Sequence, residues 1–210
     1  MTNNEFIETI GALIQKHSFA NGYKYPSAII GQAILESGWG KSLLASKYHN
    51  YFGLKCGSSW RGKSVNMTTK EEYTRGTLTN IRDNFRVFDT MEDGIKGYFE
   101  FISYSRYSNL KSATSSKNYL QLIKSDGYAT SSTYVDNVYN VVTKYNLTRF
   151  DKERVDNMTN ADIKKHLSGN EIIKLLAKEV INGGYGNGNE RKERLGCLYS
   201  LVQKEVNKMV

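Results

Sequence analysis

Residues 26–42 read PSAIIGQAILESGWGKS. A Pro followed by Ser ahead of an apolar run is a helix start, with Ser27 placed to cap and Pro26 preceding it. Ile30, Ala33 and Ile34 then recur on one helical face. Gly38 and Gly40 stop the run, because glycine takes the left-handed backbone that closes a helix. Glu36 stands at the end of this apolar helix, just before Ser37-Gly38-Trp39-Gly40. A carboxylate beside Leu35 and Trp39, partly out of water, is expected to have a raised pKa, since burial disfavours the charged form. That is the state a general acid for glycosidic cleavage needs. The alternative is a solvated Glu on a helix face.

The pattern around this stretch is mostly helical. Upstream, Phe6, Ile7, Ile10, Leu13 and Ile14 recur at helical spacing. Residues 63–88 differ: Val65, Met67, Tyr73, Leu78, Ile81 and Phe85-Arg86-Val87-Phe88, with Arg75-Gly76 as a turn, predict a β-hairpin flap. Thr90-Met91-Glu92-Asp93 is a capping-box pattern opening a helix that carries Ile95, Tyr98, Phe99 and Ile102. Two more helices are expected, near Asn118–Lys124 and near Tyr134–Tyr145, the second with Val135, Val138, Tyr139 and Val142 on one stripe. Glycosidic cleavage needs a second carboxylate. The flap offers Glu71 and Glu72; neighbours on a strand point to opposite faces, so only one of them can face a groove.

Composition narrows the class. Of 210 residues, 39% are hydrophobic and 24% charged, which fits a core-forming globular chain. Aromatics reach 12%, with 15 Tyr, and that many amphipathic rings suit a polar-ligand groove. The single Pro argues against collagen-like or Pro-linker architecture. The longest apolar run is far below the roughly 18 residues of a membrane span, so no membrane insertion is expected. The N-terminal MTNNEFIETI has no basic start, apolar core or cleavage site, so no secretory signal is expected. The net charge of +8 points to a polyanionic partner, nucleic acid or an acidic surface. Its basic residues are interleaved with acids, however, without the clustered face that nucleic-acid binding requires.

Other chemistries find little support. Cys56 and Cys197 are far apart, and His17, His49 and His166 are scattered. The chain has no HExxH, CxxC or GxSxG pattern, so no metal and no cofactor are expected. The stretch Gly183-Gly184-Tyr185-Gly186-Asn187-Gly188 lacks the Gly-Lys-Ser/Thr ending of a phosphate loop.

Charge also divides the chain. Residues 1–150 carry a balance of +6, residues 151–170 are neutral in sum, and residues 171–210 carry +2. The middle stretch is polar and reads as a linker, with a short helical stretch near Ala161–Leu167. In the last segment Ile172, Ile173, Leu176, Ala177 and Val180 suit one helix, residues 183–188 a turn, Glu190 to Leu195 a second helix and Leu198 to Met209 a third. The expected fold class is therefore mainly α (α+β): residues 1–150 a helical domain with a small β-hairpin flap, 151–170 a linker, and 171–210 a three-helix module.

At Ala33-Ile34-Leu35-Glu36-Ser37-Gly38-Trp39-Gly40-Lys41-Ser42 the chain resembles the A-x-x-E-S-x-x-G-x-S signature of the glucosaminidases of glycoside hydrolase family 73. The resemblance continues through Asn50-Tyr51-Phe52-Gly53-Leu54-Lys55, Trp60-Arg61-Gly62, Phe85-Arg86-Val87-Phe88-Asp89 and Asp126-Gly127-Tyr128-Ala129-Thr130, in family order. It implies a lysozyme-like fold and hydrolysis of the β-1,4 bond after N-acetylglucosamine in bacterial peptidoglycan. The family's general acid falls on Glu36. Its flap carboxylate falls on Glu72 by the Tyr-x-x-Gly pattern, or on Glu71 by the Thr-x-Glu spacing. Its active-site Tyr falls on Tyr128, whose hydroxyl would bond an acetamido group or orient water. The matched blocks also offer Trp39, Asn50, Phe52, Trp60 and Thr130 as substrate-binding residues.

Residues 171–209 resemble the three-helix cell-wall-binding repeat of phage lysins, through Tyr185-Gly186-Asn187-Gly188, Glu190-Arg191 and Arg194-Leu195. Tyr185 and Arg191 are its candidate wall contacts, and a single copy would need a homodimer for multivalency. Together the two resemblances imply an endolysin, held in the host cytoplasm until release, then acting on the cell wall. A muramidase, a lytic transglycosylase and a non-catalytic wall-binding protein are the alternatives.

Overall fold

The computed structural model describes residues 1–74, 77–152 and 169–210; the side chains of residues 69–74, 77–81, 169, 170 and 197 lie outside the description. The chain forms two compact units, Met1–Lys152 and Glu153–Val210. The expected Arg75-Gly76 turn and the Ala161–Leu167 helical stretch fall outside the described residues.

The first unit is helical with one hairpin. Helix α1 (Asn3–Ala20) opens on a capping box in which Thr2 Oγ1 accepts from the Glu5 N–H and the Thr2 N–H donates to Glu5. Its stripe of Phe6, Ile7, Ile10 and Ile14 is fully buried. Helix α2 (Pro26–Ser37) is covered on nearly every side, with residues 26–34 all buried, and it packs against α1. The sequence expectation of one apolar face understates this, because the run has no charged residue until Glu36. Ser27 is also not the cap. Pro26 takes the first helical position, and both Ser27 polar groups bond to Asp151. Gly38 closes the helix in the left-handed conformation, as expected.

Helix α3 (Leu43–Tyr48) follows, capped by Ser42. The flap is an antiparallel hairpin of β1 (Ser64–Thr74) and β2 (Thr77–Arg86), with Ser64 opposite Arg86 and Val65 opposite Phe85. Its base is stitched to residues 54–56: the Arg86 N–H donates to the Leu54 carbonyl and the Cys56 N–H to the Asn84 carbonyl. Helix α4 (Met91–Ile102) is capped by Thr90, whose Oγ1 accepts from the Asp93 N–H. A 3₁₀ segment (Ser105–Ser112), α5 (Ser116–Ser125), α6 (Tyr134–Lys144) and a 3₁₀ segment (Leu147–Asp151) complete the unit. Val138 and Val142 of α6 pack on Gly31 of α2, where a glycine allows the two helices to approach closely.

The second unit has α7 (Gly169–Ile181), α8 (Gly188–Leu195), a 3₁₀ turn (Gly196–Leu198) and α9 (Tyr199–Met209). Ile172, Leu176, Ala177, Val180, Tyr185, Leu195, Val202 and Val206 form its core.

Candidate active site

A groove of about 980 Å³ runs across the first unit. Glu36 lines it from the end of α2, Phe52–Lys55 from the loop after α3, Met67 and Thr68 from β1, and Phe85 and Arg86 from β2. Phe101 and Tyr104 line it from the end of α4, and residues 127–131 from the loop before α6.

The surroundings of Glu36 differ from the sequence expectation. Glu36 is exposed and so is Leu35, while the Trp39 ring packs edge-on to Tyr145 at 4.8 Å. Among the described residues, two phenols face Glu36. Tyr134, buried at the start of α6, has its hydroxyl near enough to Glu36 for the carboxylate charge to act on it. Burial first and the Glu36 charge second hold the hydroxyls of Tyr134 and Tyr128 well above the ordinary tyrosine pKa, so both are neutral. Tyr134 was not among the expected site residues. A Tyr directly after a Ser-Ser-Thr turn looks like a helix start, and only the fold brings it to Glu36.

Tyr128 lines the groove, and its hydroxyl donates to the Phe52 carbonyl at 2.9 Å. Its proton is therefore committed to the backbone, and toward a bound sugar it can only accept. Phe52 and Thr130 line the groove. Phe52 is buried and stacked on Tyr98 with ring centroids 4.0 Å apart, so its role at the groove is that of a floor.

Three expected substrate contacts make bonds or packing contacts inside the protein. Asn50 is 2% exposed; its Nδ2 donates to the Leu54 and Arg86 carbonyls, and its Oδ1 accepts from the Leu54 N–H. It joins the groove loop to the hairpin base. Trp39 packs on the core beside Tyr145. Trp60 covers the buried Arg86 guanidinium at 4.6 Å and bonds the Lys63 carbonyl through Nε1. Glu71 and Glu72 lie on β1 opposite Thr79 and Leu78, with their side chains outside the described residues.

The groove also holds cations. Arg86 donates through Nε to the Lys55 carbonyl, Arg106 bonds the Asp126 carbonyl, and Lys55 pairs with Asp83 at 3.1 Å. Hydrogen bonds from Ser59 and then Arg86 hold the Tyr104 hydroxyl below the usual phenol range. Tyr104 and Arg106 carry no local sequence signal, since one precedes and the other lies on an irregular 3₁₀ stretch. Among the described residues no group of three or more His, Cys, Asp or Glu could hold a metal ion.

In the second unit, Tyr185 is 7% exposed and part of the core. Arg191 donates to the Gly186 carbonyl, Asn187 Oδ1 and Gln203 Oε1. Both candidate wall contacts are thus occupied in building the module.

Comparison with known proteins agrees with this architecture. Exo-glucosaminidase LytG of Bacillus subtilis is 29% identical over 187 residues, covering 86% of this chain and 62% of that protein. Peptidoglycan hydrolase FlgJ of Pseudomonas aeruginosa is 34% identical over 141 residues, 64% of this chain and 35% of that one. The chain therefore spans less than two thirds of the length of either relative. A peptidoglycan hydrolase mutant from Sphingomonas sp. A1 superposes with a TM-score of 0.60 at 28% identity, over 70% of this chain and 96% of that chain. The catalytic domain of the autolysin Auto from Listeria monocytogenes gives 0.59 at 28% identity, over 70% and 86%. Residues 174–210 match the CW_7 repeat. Residues 12–147 match the glucosaminidase model, described as mannosyl-glycoprotein endo-beta-N-acetylglucosaminidase, and with the exposed Glu36 at the end of α2 and the hairpin over the groove, the chain belongs to the glucosaminidase family.

Proposed function

We propose that the chain is a peptidoglycan hydrolase cleaving the β-1,4 bond after N-acetylglucosamine. The observation that carries this reading is Glu36, exposed at the end of α2 and lining a groove of about 980 Å³ beside the Tyr134 and Tyr128 hydroxyls. In this reading Glu36 protonates the leaving glycosidic oxygen. A flap carboxylate, Glu72 or else Glu71, activates water or offsets positive charge at the anomeric carbon. Phe52 and Thr130 shape the sugar sites, and Tyr128 accepts from an acetamido N–H. Arg86, Arg106 and Lys55 suit a substrate that carries carboxylates.

The CW_7 repeat supports a second contact with the same wall, and its pairing with a glucosaminidase domain supports an endolysin. A single copy would gain avidity only by dimerisation.

The test is mass spectrometry of borohydride-reduced fragments from purified peptidoglycan, using the wild type, Glu36→Gln, Glu71→Gln and Glu72→Gln. Reduced N-acetylglucosamine ends that vanish in Glu36→Gln are expected. Whichever flap variant loses those ends identifies the second carboxylate. Reduced N-acetylmuramic acid ends mean a muramidase, and anhydro ends a transglycosylase. Wall binding without fragments leaves a binding protein.

A further inference from the structure

Gln32 is 0% exposed in the middle of α2, one turn before Glu36 and on the same face. A polar side chain in so apolar a helix must have its bonds made inside the protein. Its amide does so at both ends: Nε2 donates to the Tyr134 hydroxyl at 2.8 Å, and Oε1 accepts from the Tyr98 hydroxyl at 2.8 Å. The Tyr98 and Tyr119 hydroxyls are 3.0 Å apart. Tyr98 is 0%, Tyr119 1% and Tyr134 5% exposed.

Chemistry fixes the direction of every bond. The Tyr134 hydroxyl neighbours Glu36, and an ionised carboxylate can only accept, so any bond between them is donated by Tyr134. Tyr134 then accepts, so Gln32 turns its NH₂ toward Tyr134 and its oxygen toward Tyr98. An amide oxygen cannot donate, so Tyr98 does. That uses the only Tyr98 proton, and Tyr119 must donate to Tyr98. The chain runs through α5, α4, α2 and α6 in turn, and each hydroxyl could have been a Phe hydrogen at almost no change in volume.

We propose that Gln32, Tyr98 and Tyr119 are positioning residues, which hold Tyr134 as a fixed donor to the Glu36 carboxylate through this one-way chain of hydrogen bonds. It sets where the Glu36 oxygens sit and how readily they release a proton. Burial keeps all three phenols neutral, as donors must be. Among the described residues, the other ionisable groups in reach include Tyr128 facing Glu36, Lys55, Arg86, Tyr104 and Arg106 along the groove, and Tyr23 and Tyr107 facing Tyr119.

The inference rests on Glu36 being the acid, and the experiment separates the two. The pH profile of kcat on purified peptidoglycan is measured for the full chain, Tyr98→Phe, Gln32→Met, Tyr119→Phe and Tyr134→Phe, with Glu36→Gln beside them. A donor to a carboxylate favours its charged form, so loosening that donor raises the Glu36 pKa. The high-pH limb should move up by about half to one pH unit in Tyr98→Phe and Gln32→Met, and in the same direction as in Tyr134→Phe. Tyr119→Phe, farthest away, should move it least. Activity retained in Glu36→Gln overturns the acid assignment itself. An inactive Glu36→Gln together with an unmoved limb in the folded remote variants overturns the positioning chain. Circular dichroism identifies the folded variants, and if Tyr98→Phe does not fold, Gln32→Met and Tyr119→Phe decide.

Discussion

The carboxylate of Asp151 accepts the backbone N–H of Ser27 at 2.8 Å and the Ser27 hydroxyl at 2.7 Å. Ser27 is in the first turn of the helix that carries Glu36 near its end, and Tyr25 at its N-cap makes no side-chain capping bond. The last 3₁₀ turn of the unit thus supplies the cap and a negative charge at the positive end of α2. Asp151→Ala should lower stability by about 1 kcal/mol, read from chemical denaturation of the full chain. An unchanged midpoint would show that water replaces the cap without loss.

The same carboxylate gives a pH dependence of definite sign. Burial raises the Asp151 pKa, and the bonds from Ser27 only partly offset this. A folded-state pKa above the unfolded value means that the folded chain binds the proton more tightly. Its contribution to stability is therefore complete below the ordinary value of 3.8 and is lost as pH rises through the raised value. Asp151→Asn stays neutral throughout and keeps an acceptor for the Ser27 N–H. Relative to wild type, this variant should gain melting temperature as pH rises across that window, then hold a constant difference. A gain that shrinks with rising pH would reverse the sign.

Two glycines of the α2 region should fail for different reasons. A Cβ on Gly31 would lie 2.9 Å from Val142 Cγ2 and 3.0 Å from Val138 Cγ1, pushing α6 off α2. Gly31→Ala should cost about 1–3 kcal/mol by overpacking. It should also lower kcat, because α6 carries Tyr134. A Cβ on Gly38 meets nothing within 4 Å, but the residue sits at φ +56°. Gly38→Ala should therefore cost about 1–2 kcal/mol of backbone strain alone. Gly38→Asn should recover part of it, since Asn tolerates the left-handed region. Equal losses for Ala and Asn at Gly38 would point to a clash rather than strain.

Asn50 separates a structural from a substrate-binding role. Asn50→Ala leaves the Leu54 N–H and the Leu54 and Arg86 carbonyls without their partner. Buried groups left this way cost about 1–3 kcal/mol each before any relaxation, so the variant should unfold at markedly lower temperature. Asn50→Asp should be no better, because a carboxylate would face two carbonyl oxygens. A stable Asn50→Ala with only a raised KM would return Asn50 to the substrate.

What was legible in the sequence follows from how local each signal is. The end of α2 at Gly38, the flap strands and the Val138–Val142 stripe rest on neighbours within a few residues, and these are found where expected. The cap on α2 comes from Asp151, 124 positions away, so Ser27 looked like the cap itself. The Gln32–Tyr134 bond spans 102 positions. One trace of it was visible, a lone amide inside AIIGQAILE one turn before Glu36. Matching motif blocks also marks positions without distinguishing their jobs: Asn50, Trp39 and Trp60 read as sugar contacts, and the fold shows what each touches inside the protein.

Arg191 is the point at which the second unit can be tested. Its Nε and Nη2 reach the Gly186 carbonyl at 3.0 and 2.9 Å, and its Nη1 reaches Gln203 of α9 at 3.1 Å. One planar fork thereby ties the glycine-rich turn to the third helix of the module. Lysine has the charge but not the fork. Arg191→Lys and Arg191→Ala should therefore behave alike in the full chain. Losing bonds worth about 1–3 kcal/mol, amides of α8 and α9 should exchange about 5- to 150-fold faster, with those of the first unit unchanged. Binding to peptidoglycan should weaken in step with that protection. If Arg191→Lys instead binds as wild type does while Arg191→Ala does not, the charge itself is what the wall contacts, and the guanidinium's internal bonds are incidental to binding.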